Sequence, residues 1–304
     1  MDTNFIVIFS YFIVIYRIIQ LYEVLTAMSF QNQFTKTTTD ANLMETVHHG
    51  SAEYPFRYYY ENIALFDFKC IDWHWHSELE FIYIKSGNVV FDIGTVHFEL
   101  NEGNGIMINS KILHRLQSSS DAIIPNFLFQ PSFIAPQDSL IYKKYINPVI
   151  SSSLEYLVFQ PDIPWQKKAL EIIKTIIAVQ ETEFNREIIV SMSVQQLWIL
   201  LLENLTFDQF ENMGAVISRT RLQLMMQYVH AHYSENITLE DIARTANISK
   251  STALHLFQNN LKLTPVKYLI YYRLKQAALL LINTEEKIAT ISNNTGFNNV
   301  DHFC

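Results

Sequence analysis

The sequence predicts an α+β chain with two domains: a small β-barrel or double-sheet jelly roll followed by helices, then an all-α domain containing two helix-turn-helix units. Between Tyr54 and about Phe133, short β-branched or aromatic runs alternate with Gly, Asn and Asp, as in strands joined by turns. From Leu140 onwards, apolar residues recur every three or four positions, as in helices. The C-terminal segment also contains an internal repeat, which predicts a duplicated motif.

The composition is that of a folded protein with unevenly distributed charge. Its 304 residues are 49% hydrophobic and 17% charged, enough for two domains with separate cores. Residues 215–304 carry nine Lys/Arg and six Asp/Glu, a net charge of +3, whereas residues 1–214 carry 13 and 24, a net charge of −11. This pattern suits an acidic sensor joined to a mildly basic effector domain. Two cysteines, Cys70 and Cys304, cannot form a disulfide framework, which favours a reducing cytoplasm.

Residues 1–27 form a hydrophobic extension. Its apolar run, Phe5–Tyr16, is shorter than the roughly 20 residues that a spanning helix needs, and no Lys or Arg precedes it as in a signal peptide. Three interpretations remain open: a membrane or interfacial anchor, a stray amphipathic helix, or upstream sequence joined by a mis-assigned start codon. We favour the third, with Met28 as the functional start.

Residues 50–135, the predicted β-domain, contain a group of polar side chains. In WHWHSELEFIYIKSG, strand alternation puts His74, His76 and Glu80 on one face, and His114 comes from a later strand. Three histidines and a glutamate converging inside a barrel form a workable site for Zn, Mn or Fe. The alternative, which we favour, is a pocket for a small polar ligand without metal or other cofactor. Trp75 is added to the ligand-binding set, because an inward-facing ring stacks on a flat ligand such as a sugar.

Residues 140–210 predict a helical linker or dimerisation region. The segments WQKKALEIIKTIIAVQE and IIVSMSVQQLWILLLENL have helical apolar spacing. Leu197, Leu200, Leu201 and Leu205 form a stripe along the second segment. Such a stripe is either part of the core or the seam of a dimer, and the sequence leaves both open.

Residues 218–304 predict the all-α domain, and its helix start signals are clear. Thr238–Asp241 is a capping box, and Ser249 caps a second short helix after a tight turn, which together make a helix-turn-helix. Thr264-Pro265 starts a long helix over Val266–Ile282, and Thr284 is expected to open the next helix.

The internal repeat lies within this domain. The apolar and small residues of Leu239–Ile248 recur in Ile288–Phe297, at a period of 49 residues. The repeat predicts a second helix-turn-helix, joined to the first by the long helix.

The segment ITLEDIARTANISKSTALHLFQNNLKLTPVKYLIYYRLKQAALLLINTEEKIATISNNTGFNNVDHF resembles the DNA-binding domain of the AraC/XylS family of bacterial transcription regulators. The matching features include the Ile-Ala pair, the turn Ser, Thr-Pro…Tyr-Leu and Gly-Phe…His-Phe. The N-terminal half is similar to the cupin sensor common in that family, whose strand motif resembles His-Trp-His…Glu…Gly. The resemblance implies a cupin-like β-barrel or jelly roll before the double helix-turn-helix domain.

The resemblance also implies that the second helix of each unit enters a major groove of DNA. The expected contact residues are Lys250, Ser251, Thr252, Leu254, His255, Asn299, Val300 and Asp301. Ser251 and Thr252 are equally well explained as residues that cap a helix start. Because the sequence stops at Cys304, the second unit is expected to be truncated.

The predicted function is therefore a sequence-specific DNA-binding transcriptional regulator, not an enzyme, that responds to a small, polar, sugar-like ligand. The alternatives are a metal-dependent cupin enzyme and a membrane-tethered regulator; the duplicated helix-turn-helix favours the first reading, since an enzyme has no need of it. The expected partners are double-stranded DNA, a small-molecule effector and a second copy in a homodimer, with RNA polymerase as a candidate and no membrane. The expected location is the cytoplasm.

Overall fold

The chain folds into a two-sheet β-domain, a group of helices against one sheet, and a helical C-terminal domain. The structure is a computed structural model and describes residues 36–40, 43–94, 96–181, 184–205, 213–261 and 263–297. The N-terminal extension and the expected DNA-contact residues Asn299, Val300 and Asp301 lie outside the described residues.

In the described part of the chain, nine strands form two antiparallel sheets, which confirms the predicted double-sheet β-domain. One sheet has the order β1-β8-β3-β6-β9 and the other the order β2-β7-β4-β5. The strands are β1 Phe56–Asn62, β2 Cys70–His74, β3 Leu79–Tyr83, β4 Asn88–Ile93, β5 Val96–Asn101, β6 Gly105–Ile108, β7 His114–Gln117, β8 Ile123–Phe129 and β9 Tyr156–Phe159.

Strand alternation decides which side chains enter the space between the sheets. In β3, Leu79 and Phe81 belong to the core that the helices cover, whereas Ile82 belongs to the core between the sheets. Glu80 is therefore carried to the inner face together with Ile82. In β7, Leu116 lies in the same inner core, so His114 at the start of that strand also faces inward.

The helices after β8 cover the outer face of the five-stranded sheet. A π-helical turn, Tyr142–Ile146, leads into α1 Asn147–Ile150, and α2 Pro164–Ala178 and α3 Arg186–Asn204 follow. Leu197, Leu200 and Leu201 of α3 are all at most 7% exposed and pack in this core, so the leucine stripe is a core stripe. Strand β9 lies within the range predicted to be helical; it is only four residues long, and its pairing with β6 decides its conformation.

The C-terminal domain begins with α4 Met213–His232. The first helix-turn-helix consists of α5 Leu239–Thr245 and α6 Lys250–Leu261, followed by the long helix α7 Pro265–Asn283 and by α8 Ile288–Asn294. The predicted capping box is confirmed, because Thr238 and Asp241 bond each other's backbone N–H groups. Because residues 298–304 are not described, the second helix-turn-helix remains a prediction.

The expectation that Thr284 opens a helix is wrong. Thr284 is the C-cap of α7: its hydroxyl and its backbone N–H both donate to the carbonyl of Leu280, and its backbone is extended. Helix α8 starts only at Ile288, after Lys287 as N-cap. Within the described ranges, no helix has the length and apolar content needed to cross a membrane.

Candidate functional site

The structure brings together the four polar residues singled out in the β-domain. His74 ends β2 and is paired with His114, which begins β7, so their ring centroids are 4.1 Å apart. Glu80 approaches from β3 of the facing sheet, and His76 lies in the connection between β2 and β3. Within the described residues, one ring nitrogen from each of the three histidines lies within 4.8 Å of those of the other two. We call these four residues the His–Glu centre.

Each of the three rings is oriented by a backbone carbonyl two residues away. The Nδ1 atom of His74 is 2.7 Å from the carbonyl of Asp72, and that of His114 is 2.8 Å from the carbonyl of Ile112. The Nδ1 atom of His76 is 3.2 Å from the carbonyl of Glu78. Because a carbonyl only accepts hydrogen bonds, each Nδ1 must carry the proton and donate. In a neutral ring, Nε2 is then a free acceptor, as in metal-binding histidines.

Glu80 supplies the negative charge of the centre. Its Oε2 atom is 3.4 Å from Nε2 of His76 and 3.2 Å from Nε2 of His114. The contact with His114 is badly angled for a hydrogen bond, so this fully buried Nε2 has no hydrogen-bond partner among the described residues. An acceptor buried without a partner is costly and is rare in folded proteins.

Burial and the neighbouring charges push the protonation of these groups in different directions. Burial, assisted by nearby His114, lowers the pKa of His74 to about 3. Burial also acts to lower the pKa of His76, but the contact with Glu80 outweighs it and raises that pKa. For Glu80, burial opposes ionisation, yet the interactions with His114 and His76 lower its pKa. The carboxylate is therefore ionised and His74 is neutral at physiological pH.

The residues around the centre leave little free space. A cavity of about 30 Å³ lies beside His74 and Glu80. It is also lined by Glu45 and His49, which sequence analysis missed because no strand pattern precedes β1. Both ring nitrogens of His49 are engaged: Nδ1 is 2.9 Å from the Tyr59 hydroxyl, and Nε2 is 3.0 Å from Oε2 of Glu45.

Glu61 is a second carboxyl group lining this cavity. It accepts a hydrogen bond of 2.7 Å from Nδ2 of Asn126. Burial, only partly offset by that hydrogen bond, raises the pKa of Glu61 to about 8. This group therefore retains its proton at neutral pH.

Trp75 lies apart from this arrangement. Its side chain packs against an apolar cluster shared by the β-domain and the C-terminal domain, which includes Trp73, Leu113 and Leu222. Alternation along the chain explains this, because the neighbours His74 and His76 both turn into the centre.

The first predicted DNA-contact set forms one exposed face of α6. Lys250, Ser251, Thr252 and His255 are exposed and Leu254 is half-buried, whereas the intervening residue Ala253 is buried. Ser249 caps this helix, because its hydroxyl accepts from the N–H of Thr252 at 3.2 Å. The cap residue is therefore Ser249, and Thr252 supplies the N–H group that is capped, while its exposed side chain leaves DNA contact open as a prediction.

Lys250 and His255 each have a partner within the domain. Nζ of Lys250 is 3.0 Å from Oε2 of Glu240, and Nε2 of His255 is 3.0 Å from Nδ2 of Asn259. Both sites are exposed, and an exposed pair of this kind contributes little stability, so these groups can exchange such partners for DNA.

Comparison with known proteins identifies both domains. The family described as AraC-like ligand binding domain matches residues 66–136, and the helix-turn-helix domain family matches residues 242–304. An uncharacterized HTH-type transcriptional regulator of Bacillus subtilis, YdeC, is 32% identical over 271 residues, covering 87% of this chain and 91% of its own. The chain belongs to the AraC/XylS family of transcriptional regulators.

Other similar proteins show lower identity to this chain. The lactose operon transcription activator of Staphylococcus xylosus is 26% identical over 56% of this chain and 62% of its own length. Among solved structures, apo ToxT K231A from Vibrio cholerae covers 84% of this chain and 92% of its own, with 10% identity and a TM-score of 0.38. As an AraC/XylS regulator, the chain has an N-terminal ligand-binding domain and a helix-turn-helix domain that binds DNA.

Proposed function

We propose that the His–Glu centre is where this regulator senses its effector, and that the group it binds is a divalent transition-metal cation. The observation that carries this proposal is the convergence of one ring nitrogen from each of three histidines, with the Glu80 carboxylate against His76 and His114. The buried Nε2 of His114 also lacks a hydrogen-bond partner among the described residues. The ionised carboxylate of Glu80 and Nε2 of neutral His74 offer lone pairs inward, and Nε2 of His76 does so once it gives up the proton that it directs at Glu80. A bound group must therefore supply positive charge or several hydrogen-bond donors.

The available space favours an ion over a larger molecule. Pockets for small organic ligands measure roughly 300–1,000 Å³, whereas the cavity beside His74 and Glu80 measures about 30 Å³. The sugar-like effector expected from the sequence would therefore require the two sheets to move apart. A cation needs only short movements of side chains that already face each other.

The donor set suits Zn²⁺, Mn²⁺ or Fe²⁺. Imidazole nitrogen and carboxylate oxygen are ligands of all three, and thiolates, which would favour softer ions, play no part. His74, His76 and His114 would present Nε2, each held in place by the carbonyl that accepts from its Nδ1. Glu80 would present Oε2 and balance the charge. The bound ion would supply positive charge to pull these four groups together.

Metal content and thermal stability of the full chain test this proposal. The protein as purified, or after addition of Zn²⁺, should hold about one equivalent and unfold at higher temperature. His114→Ala should abolish both effects. His49→Gln is the matched control, because His49 is also buried but both of its ring nitrogens are already bonded. If the wild type binds no metal, or if His114→Ala binds it equally well, the proposal is wrong.

We assign this centre to sensing and not to catalysis. The family relatives are transcriptional regulators, and the chain carries a DNA-binding domain that an enzyme would not need. A metal-loaded protein that turned over a substrate would instead support the cupin-enzyme alternative. As a regulator it would act in the cytoplasm, where it has access to DNA.

On the DNA side, the exposed face of α6 is the proposed reading surface. Lys250 at the helix start suits a phosphate, whereas Ser251, Leu254 and His255 are placed to reach base edges. His255 offers a single ring nitrogen and lacks the bidentate fork with which arginine reads guanine. Direct contact with RNA polymerase remains a proposal that follows only from family membership.

A homodimer through α3 is the proposed assembly. Since Leu197, Leu200 and Leu201 are used in the core, the seam must use the opposite face of the helix. There Ile188, Met192 and Ile199 are 59%, 57% and 56% exposed at positions i, i+4 and i+11. A row of large apolar side chains at helical spacing is typical of a surface that another helix covers.

A further inference from the structure

The β-domain and the C-terminal domain meet at strand β2, next to the His–Glu centre. The register between β2 and β7 shifts between Ile71 and His74, so Asp72 and Trp73 lie in an irregular stretch of the strand. Ile71 belongs to the core between the sheets, whereas Trp73 belongs to the cluster shared with the C-terminal domain. Such irregularities redirect side chains. Here His74 points into the centre while the preceding residues face the other domain.

Asp72 has bonds in both directions. Its backbone carbonyl accepts from Nδ1 of His74 at 2.7 Å, and its backbone N–H donates to Oγ1 of Thr37 at 2.8 Å. Its carboxylate accepts from Nζ of Lys275, which lies in the long helix α7. Asp72 therefore orients the ring of His74 through its backbone carbonyl and binds α7 through its carboxylate.

Strand β7 repeats this arrangement beside the other paired histidine. Arg115 follows His114 directly and donates to Oδ2 of Asp92 at 3.0 and 2.7 Å. Its remaining guanidinium nitrogen is 3.4 Å from the hydroxyl of Tyr271, again in α7. Both histidines that pair across β2 and β7 thus have a close neighbour in sequence that contacts the same helix.

The contact of α7 continues to the DNA-reading helix. Tyr268 of α7 is 1% exposed and lies edge-on to Phe257 of α6, with ring centroids 5.6 Å apart. Closely packed aromatic rings of this kind transmit displacement because the core has little free volume. A movement of α7 would therefore change the position of α6.

The ion pair between Asp72 and Lys275 is only partly satisfied. Its Oδ1 atom is buried and has no hydrogen-bond partner within the described ranges, while Oδ2 pairs with Lys275. A buried ion pair stabilises a structure only when its remaining atoms are also satisfied, and otherwise desolvation cancels much of the attraction. A half-satisfied pair suits a contact that is made in one state and released in another.

We infer that the Asp72–Lys275 pair is a releasable latch that couples the orientation of His74 to the docking of α7, and thereby to the position of α6. Displacement of the His74 ring alters the hydrogen bond to the Asp72 carbonyl. The carboxylate on the same residue then loses its alignment with Lys275, and α7 is freed on that side. Arg115 and Tyr271 form the second point of attachment.

Hydrogen–deuterium exchange of the full chain tests the latch without any added metal. Lys275→Met keeps the length of the side chain but removes its charge, and Asp72→Asn keeps the backbone carbonyl that His74 requires. Both variants should accelerate exchange across residues 265–283. Lys267→Met, at an exposed position of the same helix, is the matched control and should exchange like the wild type. Unchanged exchange in α2 confirms that each variant is folded.

The coupling is tested by a double-mutant cycle. When introduced alone, His74→Ala should accelerate hydrogen exchange in α7 by about two- to a hundredfold, the range typical of directly connected residues. When introduced together with Lys275→Met, it should add much less. If His74→Ala leaves α7 unchanged, or acts equally in both backgrounds, the latch is overturned. Since no metal is added, this outcome is separate from the test of the proposed cation.

Discussion

Glu80 is the side chain through which the cation proposal is tested most sharply. It is 7% exposed, and its Oε2 faces Nε2 of both His76 and His114 at 3.4 and 3.2 Å. Glu80→Gln preserves the size of the side chain and one carbonyl oxygen, but removes the negative charge between the two rings. The variant should fold and should lose most of its affinity for Zn²⁺.

The size of the effect follows from binding linkage. A ligand present at 100 times its Kd stabilises the folded state by about 2.7 kcal/mol. For chains of roughly 150–250 residues, 1 kcal/mol shifts Tm by about 2–4 °C, so the wild type should gain about 5–11 °C. Removing a residue that only hydrogen-bonds a metal ligand weakens metal binding about 10- to 100-fold. Because Glu80 is itself a proposed ligand, Glu80→Gln should weaken Zn²⁺ binding by about 100-fold or more. At the same Zn²⁺ concentration the variant should gain only about 1–2 °C.

The assay is thermal unfolding of the full chain with and without Zn²⁺, with a chelator to reverse the shift. Each variant is compared with its own metal-free form, because Glu80→Gln also leaves His76 without its anionic partner. Glu99→Gln is the control: it removes the same charge at an exposed position of β5, where the carboxylate accepts from Asn88. If Glu80→Gln shows the wild-type shift, Glu80 is not a ligand and the reasoning about the donor set fails.

Three further predictions concern the dimer face, the reading helix and the cavity. If the proposed homodimer forms through α3, Met192→Lys should convert it to monomer in light scattering, whereas Val266→Lys, at an exposed position of α7, should not. Lys250→Ala should make the slope of log K against log salt concentration, with K the association constant for DNA, shallower by about one unit. An unchanged slope would exclude a phosphate contact of Lys250. Because the folded-state pKa of Glu61 is raised from 4.5 to about 8, the native state retains a proton that the unfolded state has lost. Stability should fall as pH rises through this interval, and chemical denaturation of Glu61→Gln should show a flatter dependence.

Sequence alone predicted the features that depend on local rules. The capping box at Thr238 and the cap at Thr264 were confirmed, since each involves a side chain and an N–H three residues away. The inward direction of Glu80 followed from strand alternation. Thr284 was misread because the same hydroxyl can accept at a helix start or donate at a helix end, and only the position of Leu280 decides between them.

The features that sequence analysis missed depend on long-range packing. His76 was expected at the centre, but its position on the strand was misassigned, because it enters from the connection after β2. His49 lies beside the centre because it contacts Tyr59 and Glu45, and no periodic sequence pattern predicts these contacts. The contact between Asp72 and Lys275 joins residues that are 203 positions apart in the chain. Such a contact depends on how the two domains dock, and the sequence of neither segment predicts that docking.

In the proposed scheme, in which His74 belongs to the sensing site, a short movement at the centre is sufficient for regulation. His74 lies between the sheets, yet the carbonyl to which it donates belongs to a residue that also bonds α7. No domain-sized displacement has to cross the β-domain, since a single residue of β2 separates the sensing ring from the docked helix. Packed interfaces switch between discrete arrangements instead of deforming continuously, so a shift below 1 Å at an effector site can be amplified. Because Oδ1 of Asp72 has no hydrogen-bond partner among the described residues, the pair with Lys275 is incompletely satisfied, and we therefore place the proposed latch at β2, between His74 and α7.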